Sequence, residues 1–331
     1  LRVSVVIPLF QKAPYVRRCL DSVAAQTFAD FEVIVVDDGS TDSGGDCVLE
    51  RQDPRFRLVR QANAGHGAAR NRGIAAARGE WVAFIDADDE WRPEFLEATL
   101  AETERYPALV AVFTNVTDSR FAVPLLGPRV SGPVGDYFEF LMANRGLGMT
   151  SMGTLARCSA LRACGGFRPG VKVGEDQDAF ARLAWHGPVA FLARELAVYH
   201  ADLPNSSTLR SRLGAPVFPA AIDSYRLLSR AARVPRHLDS GSRRFIDHLL
   251  LEHAASLINY GSRGEALRVL VYECGPSVWV RGRYLSLLLR LALPHAMQTG
   301  LRRRFLRLCE VVAGARPPQP GPTAGRVAAA G

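Results

Sequence analysis

The stretch Trp81 to Trp91, WVAFIDADDEW, constrains the fold more than any other part of the chain. Its apolar half, Trp81 to Ile85, does not alternate, as expected of a parallel-sheet strand covered on both faces. It runs into Asp86, Asp88 and Asp89. Three carboxylates gathered at the end of a hydrophobic strand repel one another, and holding them there is costly unless positive charge lies among them. A divalent cation meets that need. Oxygen-only ligands suit Mg2+ or Mn2+, and Mg2+ takes one or two carboxylates while leaving its other positions to water and phosphate. The location agrees, because open α/β sheets bind ligands beyond the carboxyl ends of their strands. Taken alone, the same residues are equally well explained by a solvated acidic turn, or by Asp89 capping a helix that starts near Pro93.

The chain before this stretch sets the class. Val3 to Ile7 and Glu32 to Val36 are apolar runs, closed by Pro8 and by Asp37-Asp38-Gly39-Ser40. Between them Tyr15, Val16, Cys19, Leu20 and Val23 recur at helical spacing, which makes a βαβ unit. A further helix is expected from Thr41 or Asp42, a strand over Phe56 to Val59, and an Ala-rich helix within Asn63 to Gly79 that Gly79 stops. Four strands alternating with three helices predict a doubly wound sheet. There is no GxGxxG after the first strand and no GxxxxGK[ST] anywhere, which disfavours a dinucleotide dehydrogenase or a P-loop kinase. Nucleotide recognition then falls to side chains. Asp37 or Asp38 can accept from a base or ribose, and Arg70 can meet a base or phosphate. A turn with a helix cap is the plainer explanation of Asp38 to Asp42.

Beyond the acidic stretch, a helix over Pro93 to Arg105 and a strand over Leu109 to Phe113 continue the pattern. Residues 115–150 are rich in Gly, Pro and polar groups and predict a loop region with one short helix near Tyr137 to Ala143. Order returns at Cys164-Gly165-Gly166-Phe167 and at Gly174-Glu175-Asp176-Gln177-Asp178, which opens a helix over Ala179 to Trp185. Glu175 and Asp176 fall in its first turn, where the exposed N–H groups stabilise anions. Charge complementarity alone explains that placement. Short strands over Val189 to Leu192 and Ala197 to Tyr199 lead to His200, which is a weaker candidate, since a single His is more often structural than a ligand.

Together these segments resemble the family 2 glycosyltransferases of the GT-A fold, over about residues 3 to 207. The resemblance rests on VSVVIPLF, VVDDGSTD, NAGHGAARNRGIAAARGEWVAFIDADD, CGGF, and GEDQD followed by Tyr199-His200, in that order. It implies an α/β fold with a doubly wound mixed, mainly parallel sheet, a nucleotide-sugar donor that is UDP-linked, and Mg2+ or Mn2+. By position it implies that Pro8, Phe10, Asp37, Asp38, Arg70 and Asp86 bind the nucleotide, with Asp38 at the base and Asp86 at the ribose. Asp88 would hold the metal, with His200 as a further candidate ligand, and Asp176 would serve as base toward the acceptor, supported by Glu175 and Asn71. Inversion at the anomeric carbon is implied by the resemblance alone. The family often has Tyr-Asn where this chain has Phe10-Gln11. Alternatives are a sugar-1-phosphate nucleotidylyltransferase, disfavoured because LFQKAPYV is not a Gly-rich basic loop, and a non-catalytic carbohydrate-binding relative, disfavoured by the presence of Asp86, Asp88 and Asp176.

Length fits a GT-A-like catalytic domain over 1–210, a basic helical region over 211–314 and a disordered tail over 315–331, rich in Pro, Gly and Ala. With 331 residues, 48% of them hydrophobic and 22% charged, a sizeable core is expected. No run of eighteen apolar residues occurs, and LRVSVVIP goes straight into a strand-like run, so neither a leader nor a span is expected. Six scattered cysteines without CxxC spacing suggest reduced thiols in the cytoplasm. Charge divides unevenly: 22 Lys and Arg against 25 Asp and Glu over 1–200, but 19 against 8 over 201–331. Apolar positions such as Phe245, Leu249, Leu250, Leu285, Leu288 and Leu289 interleave there with arginines. A helical subdomain packed on the core is the first expectation. The other is peripheral attachment at the inner face of a membrane, beside a saccharide or lipid-linked acceptor used in cell-surface polysaccharide synthesis. A nucleic-acid partner is not expected.

Overall fold

The computed structural model describes residues 1–120, 123–124, 126, 130–144, 147–171, 173–200, 219–274 and 282–292. Strands and helices alternate through the first part: β1 (Val3–Leu9), α1 (Ala13–Ala24), β2 (Phe31–Asp37), α2 (Asp46–Leu49), β3 (Phe56–Arg60), α3 (His66–Ala76) and β4 (Trp81–Phe84). There follow β5 (Glu90–Trp91), α4 (Phe95–Arg105), β6 (Ala111–Asp118), β7 (Val123–Pro124), β8 (Gly132–Val134), α5 (Tyr137–Ala143), β9 (Thr154–Arg157), α6 (Cys158–Ala163), α7 (Glu175–His186) and β10 (Val189–Tyr199). The sheet runs β3-β2-β1-β4-β9-β6-β10-β5, with β7 added to β6 and β8 to β10. Strands β3, β2, β1 and β4 are parallel, whereas β9 is antiparallel to both β4 and β6. This is the mixed, mainly parallel α/β sheet that the motifs imply.

Every residue of β1, β2 and β4 is buried, which accounts for their unbroken apolar character. Helix α1 buries Val16, Cys19, Leu20 and Val23, the stripe read from its spacing. Helix α3 is small-residue rich because it lies directly on the sheet: a Cβ at Gly73 would come within 2.2 Å of Val6 Cγ1.

Three expected elements differ. The helix expected from Thr41 or Asp42 forms only at Asp46–Leu49, because Asp42 binds the backbone N–H groups of Ala13 and Gly44 and so holds the chain in a turn. Strand β6 runs on to Asp118 through polar residues. Asn115 stays buried there by pairing both ways with the backbone of Leu126. The two short strands expected after Trp185 are one, β10, whose register against β6 shifts near Glu195.

The chain divides into two compact units, Leu1–His253 and a second beginning at Ala254. Further helices are α8 (Ala220–Arg230), α9 (Arg236–Asn259), α10 (Arg263–Arg268) and α11 (Gly282–Ala292). In the first unit, Trp185 Nε1 donates to Ser242 Oγ at 2.9 Å, and Phe138 packs on Phe245 with centroids 5.7 Å apart. The residues of 220–253 therefore share the core of the sheet. In the second unit Tyr284 and Leu287 are buried and the Tyr284 hydroxyl donates to the Leu270 carbonyl, while Leu285 is exposed. No described helix is long and apolar enough to cross a membrane. The expected tail over 315–331 and all of 293–314 lie outside the described residues.

Candidate active site

Because β1 and β2 are parallel and in register, Leu9 lies beside Asp37, and their carboxyl ends open onto one edge. Pro8 is buried at this end of β1, and Phe10 is exposed at the rim. Asp37 Oδ1 accepts from the Ser40 N–H at 2.9 Å, a local turn. Asp38 turns inward. It is buried and accepts from Gln61 Nε2 at 2.7 Å and from the N–H groups of Ala64 and Gly65 at 2.9 and 2.8 Å. Asp38 thereby ties the end of β2 to the loop that enters α3. A cleft of about 320 Å3 lies over this edge, lined by Asp37, Ser40, Asp42, Arg60 and Gln61 among others.

The acidic stretch after β4 is compensated by three side chains. Arg70 Nη2 lies 2.7 Å from Asp86 Oδ1, Lys12 Nζ pairs with Asp88 Oδ2, and Arg18 Nε lies 3.0 Å from Glu90 Oε1. Arg18 also donates to the Asp88 carbonyl at 2.6 Å. Burial alone would raise the Asp86 carboxyl. Arg70 outweighs it, helped by His66 and Lys12, and holds the group below its ordinary value. Asp89 has no such cation. Burial first, then Asp86 and Asp88, push it well up, which favours its protonated form. Its Oδ1 accepts the His200 backbone N–H at 3.0 Å. Asp86, Asp88 and Glu90 thus each face a cation, Arg70, Lys12 and Arg18 respectively.

Arg70 is also the link to the second acidic group. It is 3% exposed, its Nη1 lies 2.9 Å from Glu175 Oε1, and its Nη2 donates to Ser151 Oγ at 3.1 Å. Its guanidinium carbon stands 5.2 Å from the centroid of Phe167. Phe167 is fixed in turn by Asn71, whose amide donates to the Phe167 carbonyl at 2.6 Å and accepts its N–H at 2.8 Å. The preceding Gly166 has φ 59°, and a Cβ there would lie 2.4 Å from Asn71 Oδ1, so the CGGF turn needs glycine at that position. Helix α7 then starts after Gly174, at φ 74°, with Glu175 and Asp176 in its first turn. Asp176 is pushed up to about 6, by burial first and then by the Glu175 charge, against the opposing pull of Arg70.

The structure thus brings together Asp86, Arg70, Glu175 and Asp176, with Asn71 supporting them from behind and Asp88 beside Asp86. It sets Asp37, Asp38, Pro8 and Phe10 along the neighbouring strand ends. His200 Nε2 lies 2.7 Å from Glu90 Oε1, so its ring is engaged with Glu90. Among the described residues no group of three or more His, Cys, Asp or Glu is arranged to hold a metal by itself. Lys12, Arg18 and Ser151 were not legible as site residues. Lys12 and Arg18 carried a hint, since three carboxylates require cations, but nothing local said which ones. Ser151 had no signal. A larger cavity of about 640 Å3, lined by Arg168, Arg182, Trp185 and Arg233 among others, includes none of Asp86, Asp88 or Asp176. Two of its arginines, Arg182 at 2.6 Å and Arg168 at 3.9 Å, face buried Asp178, to which Ser224 donates at 2.5 Å.

Sheet order and the acidic cluster beyond β4 define a GT-A-type glycosyltransferase fold. Residues 4–146 match the model of Glycosyl transferase family 2. The match ends before Glu175 and Asp176. An uncharacterized glycosyltransferase of Nostoc sp. is 47% identical over 100 residues, covering 29% of this chain and 31% of that protein. The aligned part thus spans about a third of that curated relative. Among solved structures, S. aureus TarS 1-349 in complex with UDP-GlcNAc superposes with a TM-score of 0.63 at 19% identity, covering 90% of this chain and 83% of that one. A mannosyltransferase from Pyrobaculum calidifontis in complex with GDP-Man and Mn2+ gives 0.54 at 17% identity, covering 88% and 84%.

Proposed function

We propose that this chain transfers a sugar from a nucleotide-diphosphate donor, UDP-linked, to a hydroxyl of a saccharide or lipid-linked acceptor, with inversion at the anomeric carbon. The observation that carries the reading is the reach of Arg70. One buried guanidinium joins Asp86, after β4, to Glu175 at the start of α7, and so brings a strand-end acidic cluster beside an aspartate raised to about 6. A carboxyl tuned toward neutral pH at the mouth of a sheet is suited to proton transfer.

Asp176 accepts the proton of the acceptor hydroxyl as its oxygen bonds to the anomeric carbon and the bond to the nucleotide diphosphate breaks. Asp37 and Asp38, with Pro8 and Phe10 at the rim, form the nucleotide side of the cleft, and Asp86 faces the ribose. Arg70, held on Asp86, Glu175 and Ser151, keeps the donor and acceptor sides in fixed relation. Glu175 and Asn71 hold Arg70 and the turn beneath it. The residues fit a divalent cation at Asp88, which is partly accessible and already holds a positive group, the Lys12 ammonium. One carboxylate suffices where a diphosphate supplies further oxygens. Bound there, Mg2+ or Mn2+ would neutralise charge on the departing nucleotide. His200, engaged with Glu90, acts at the margin of this group. The TarS complex with UDP-GlcNAc supports a nucleotide-sugar donor, and the Pyrobaculum complex with Mn2+ supports the cation. The basic region around 276–314 would hold the enzyme at the inner, cytoplasmic face of a membrane.

Calorimetric titration with a panel of nucleotide sugars in the presence of Mn2+ tests the reading. UDP-sugars should bind, and Asp38→Asn should weaken them. Failure of every nucleotide sugar to bind would remove it.

A further inference from the structure

Asp88 differs from its acidic neighbours in the kind of partner it has. Asp86 is held by the planar guanidinium of buried Arg70, and Glu90 by Arg18 and the His200 ring. Asp89 receives a backbone N–H. Asp88 is met by Lys12, a point charge at the end of a flexible stem, from the loop between β1 and α1. The two side chains are 13% and 17% exposed, so water screens the pair little. Besides Asp88, the ammonium has the Tyr15 ring, whose centroid is 5.9 Å away.

Lys12 therefore stands where a divalent cation on Asp88 would have to be. Two positive groups on one carboxylate repel strongly at such separations. The neighbouring carboxylates give the ammonium nowhere to go, since Asp86 is paired with Arg70, Glu90 with Arg18, and Asp89 accepts the His200 backbone N–H. We propose that Lys12 is an internal cation that holds Asp88 in the donor-free protein and yields it only when a nucleotide diphosphate arrives, so that diphosphate and divalent cation bind together. The proposal rests on Asp88 being the cation ligand. The diphosphate brings the charge that the site lacks: its oxygens complete the coordination of the metal and give the displaced ammonium a new partner. Coupling of this kind is reciprocal, so UDP must tighten the metal as much as the metal tightens UDP.

Free Mn2+ measured by electron paramagnetic resonance at pH 7.5, with and without UDP, tests this directly. The protein as it stands should bind Mn2+ weakly alone, and UDP should tighten it by about tenfold or more, within the usual range for coupled sites. Lys12→Met keeps an apolar stem against Tyr15 and removes the charge. It should bind Mn2+ about tenfold tighter than the parent without nucleotide, and UDP should add less. Lys12→Gln, which can still donate to Asp88, should behave likewise and guards against a folding defect in Lys12→Met; melting curves verify both. Adding Asp88→Asn to Lys12→Met should abolish the gain. If UDP-dependent Mn2+ binding is present in the parent but neither variant binds Mn2+ more tightly without nucleotide, the Lys12 proposal fails and Asp88 as cation ligand stands. If no protein binds Mn2+ even with UDP, both fail.

Discussion

At the scale of single residues, the site is a set of charges whose balance depends on burial. In the proposed reading Asp176 accepts the acceptor's proton, and Asp176→Asn should lower sugar transfer by roughly 10²-fold or more while donor affinity is retained, the usual scale for a lost general base. A transfer assay beside donor calorimetry separates the two. A base works when ionised, so kcat/KM should rise as pH is raised through about 6, and this limb should be missing from the variant. Stability carries the opposite sign. A carboxyl raised from 3.8 to about 6 binds its proton more tightly in the folded chain, so its contribution to stability is present below pH 4 and is lost as pH rises through 6. Asp176→Asn should therefore be more stable than the parent at pH 7.5, by about 1 kcal/mol, less than the full shift because the side chain keeps some contact with water. Thermal melts at pH 4 and pH 7.5 measure the difference. Arg70→Met should do the reverse, costing about 3–5 kcal/mol by leaving Asp86 and Glu175 without their shared cation. Urea denaturation reads this, and a loss under 1 kcal/mol would show that Arg70 is no brace.

At the scale of elements, what positions the site is close packing of turns on helices. Gly166→Ala forces a side chain into a left-handed backbone and against Asn71, so it should destabilise by about 1–3 kcal/mol and weaken the Phe167 support under Arg70. Denaturant melts with a donor-binding assay check both effects. The parallel strands, α1, α3 and the acidic stretch were legible because burial on both faces leaves continuous apolar runs and one-sided burial leaves a stripe. The extension of β6 was not, because Asn115 is buried by a specific pairing with Leu126 that no period reveals. The sequence predicts a helix start at Thr41 or Asp42, yet the Asp42 carboxylate reaches across to the N–H of Ala13 in α1 and the helix forms only from Asp46. In the site, Asp86, Asp88, Arg70, Glu175 and Asp176 were legible from motifs, but the pairing of Arg70 with both acidic groups joins residues 105 positions apart in sequence. Lys12 and Arg18 remained hidden for the same reason. On α11 the spacing pointed to Leu285, whereas Tyr284 and Leu287 are the buried positions.

At the scale of the whole molecule, charge is divided between a slightly acidic first part, residues 1–200, and an Arg-rich C-terminal third. If the region over 276–314 meets headgroups, sedimentation with vesicles should show binding to anionic but not neutral lipid, weakening with salt and with Arg302, Arg303 and Arg304 changed to Ser. Equal binding to both lipids, or none, would leave that region as structure. The central claim is a cation-assisted transfer from a nucleotide sugar, organised around Asp88 and Asp176. Its most direct measurement is release of nucleotide from UDP-sugars by the purified protein with Mn2+, with EDTA, and in Asp88→Ala. The account predicts turnover with Mn2+ that EDTA abolishes and Mn2+ restores, and none in Asp88→Ala, which should remain folded by its melting curve. Turnover that persists in EDTA, or in Asp88→Ala at the parent's rate, would contradict it.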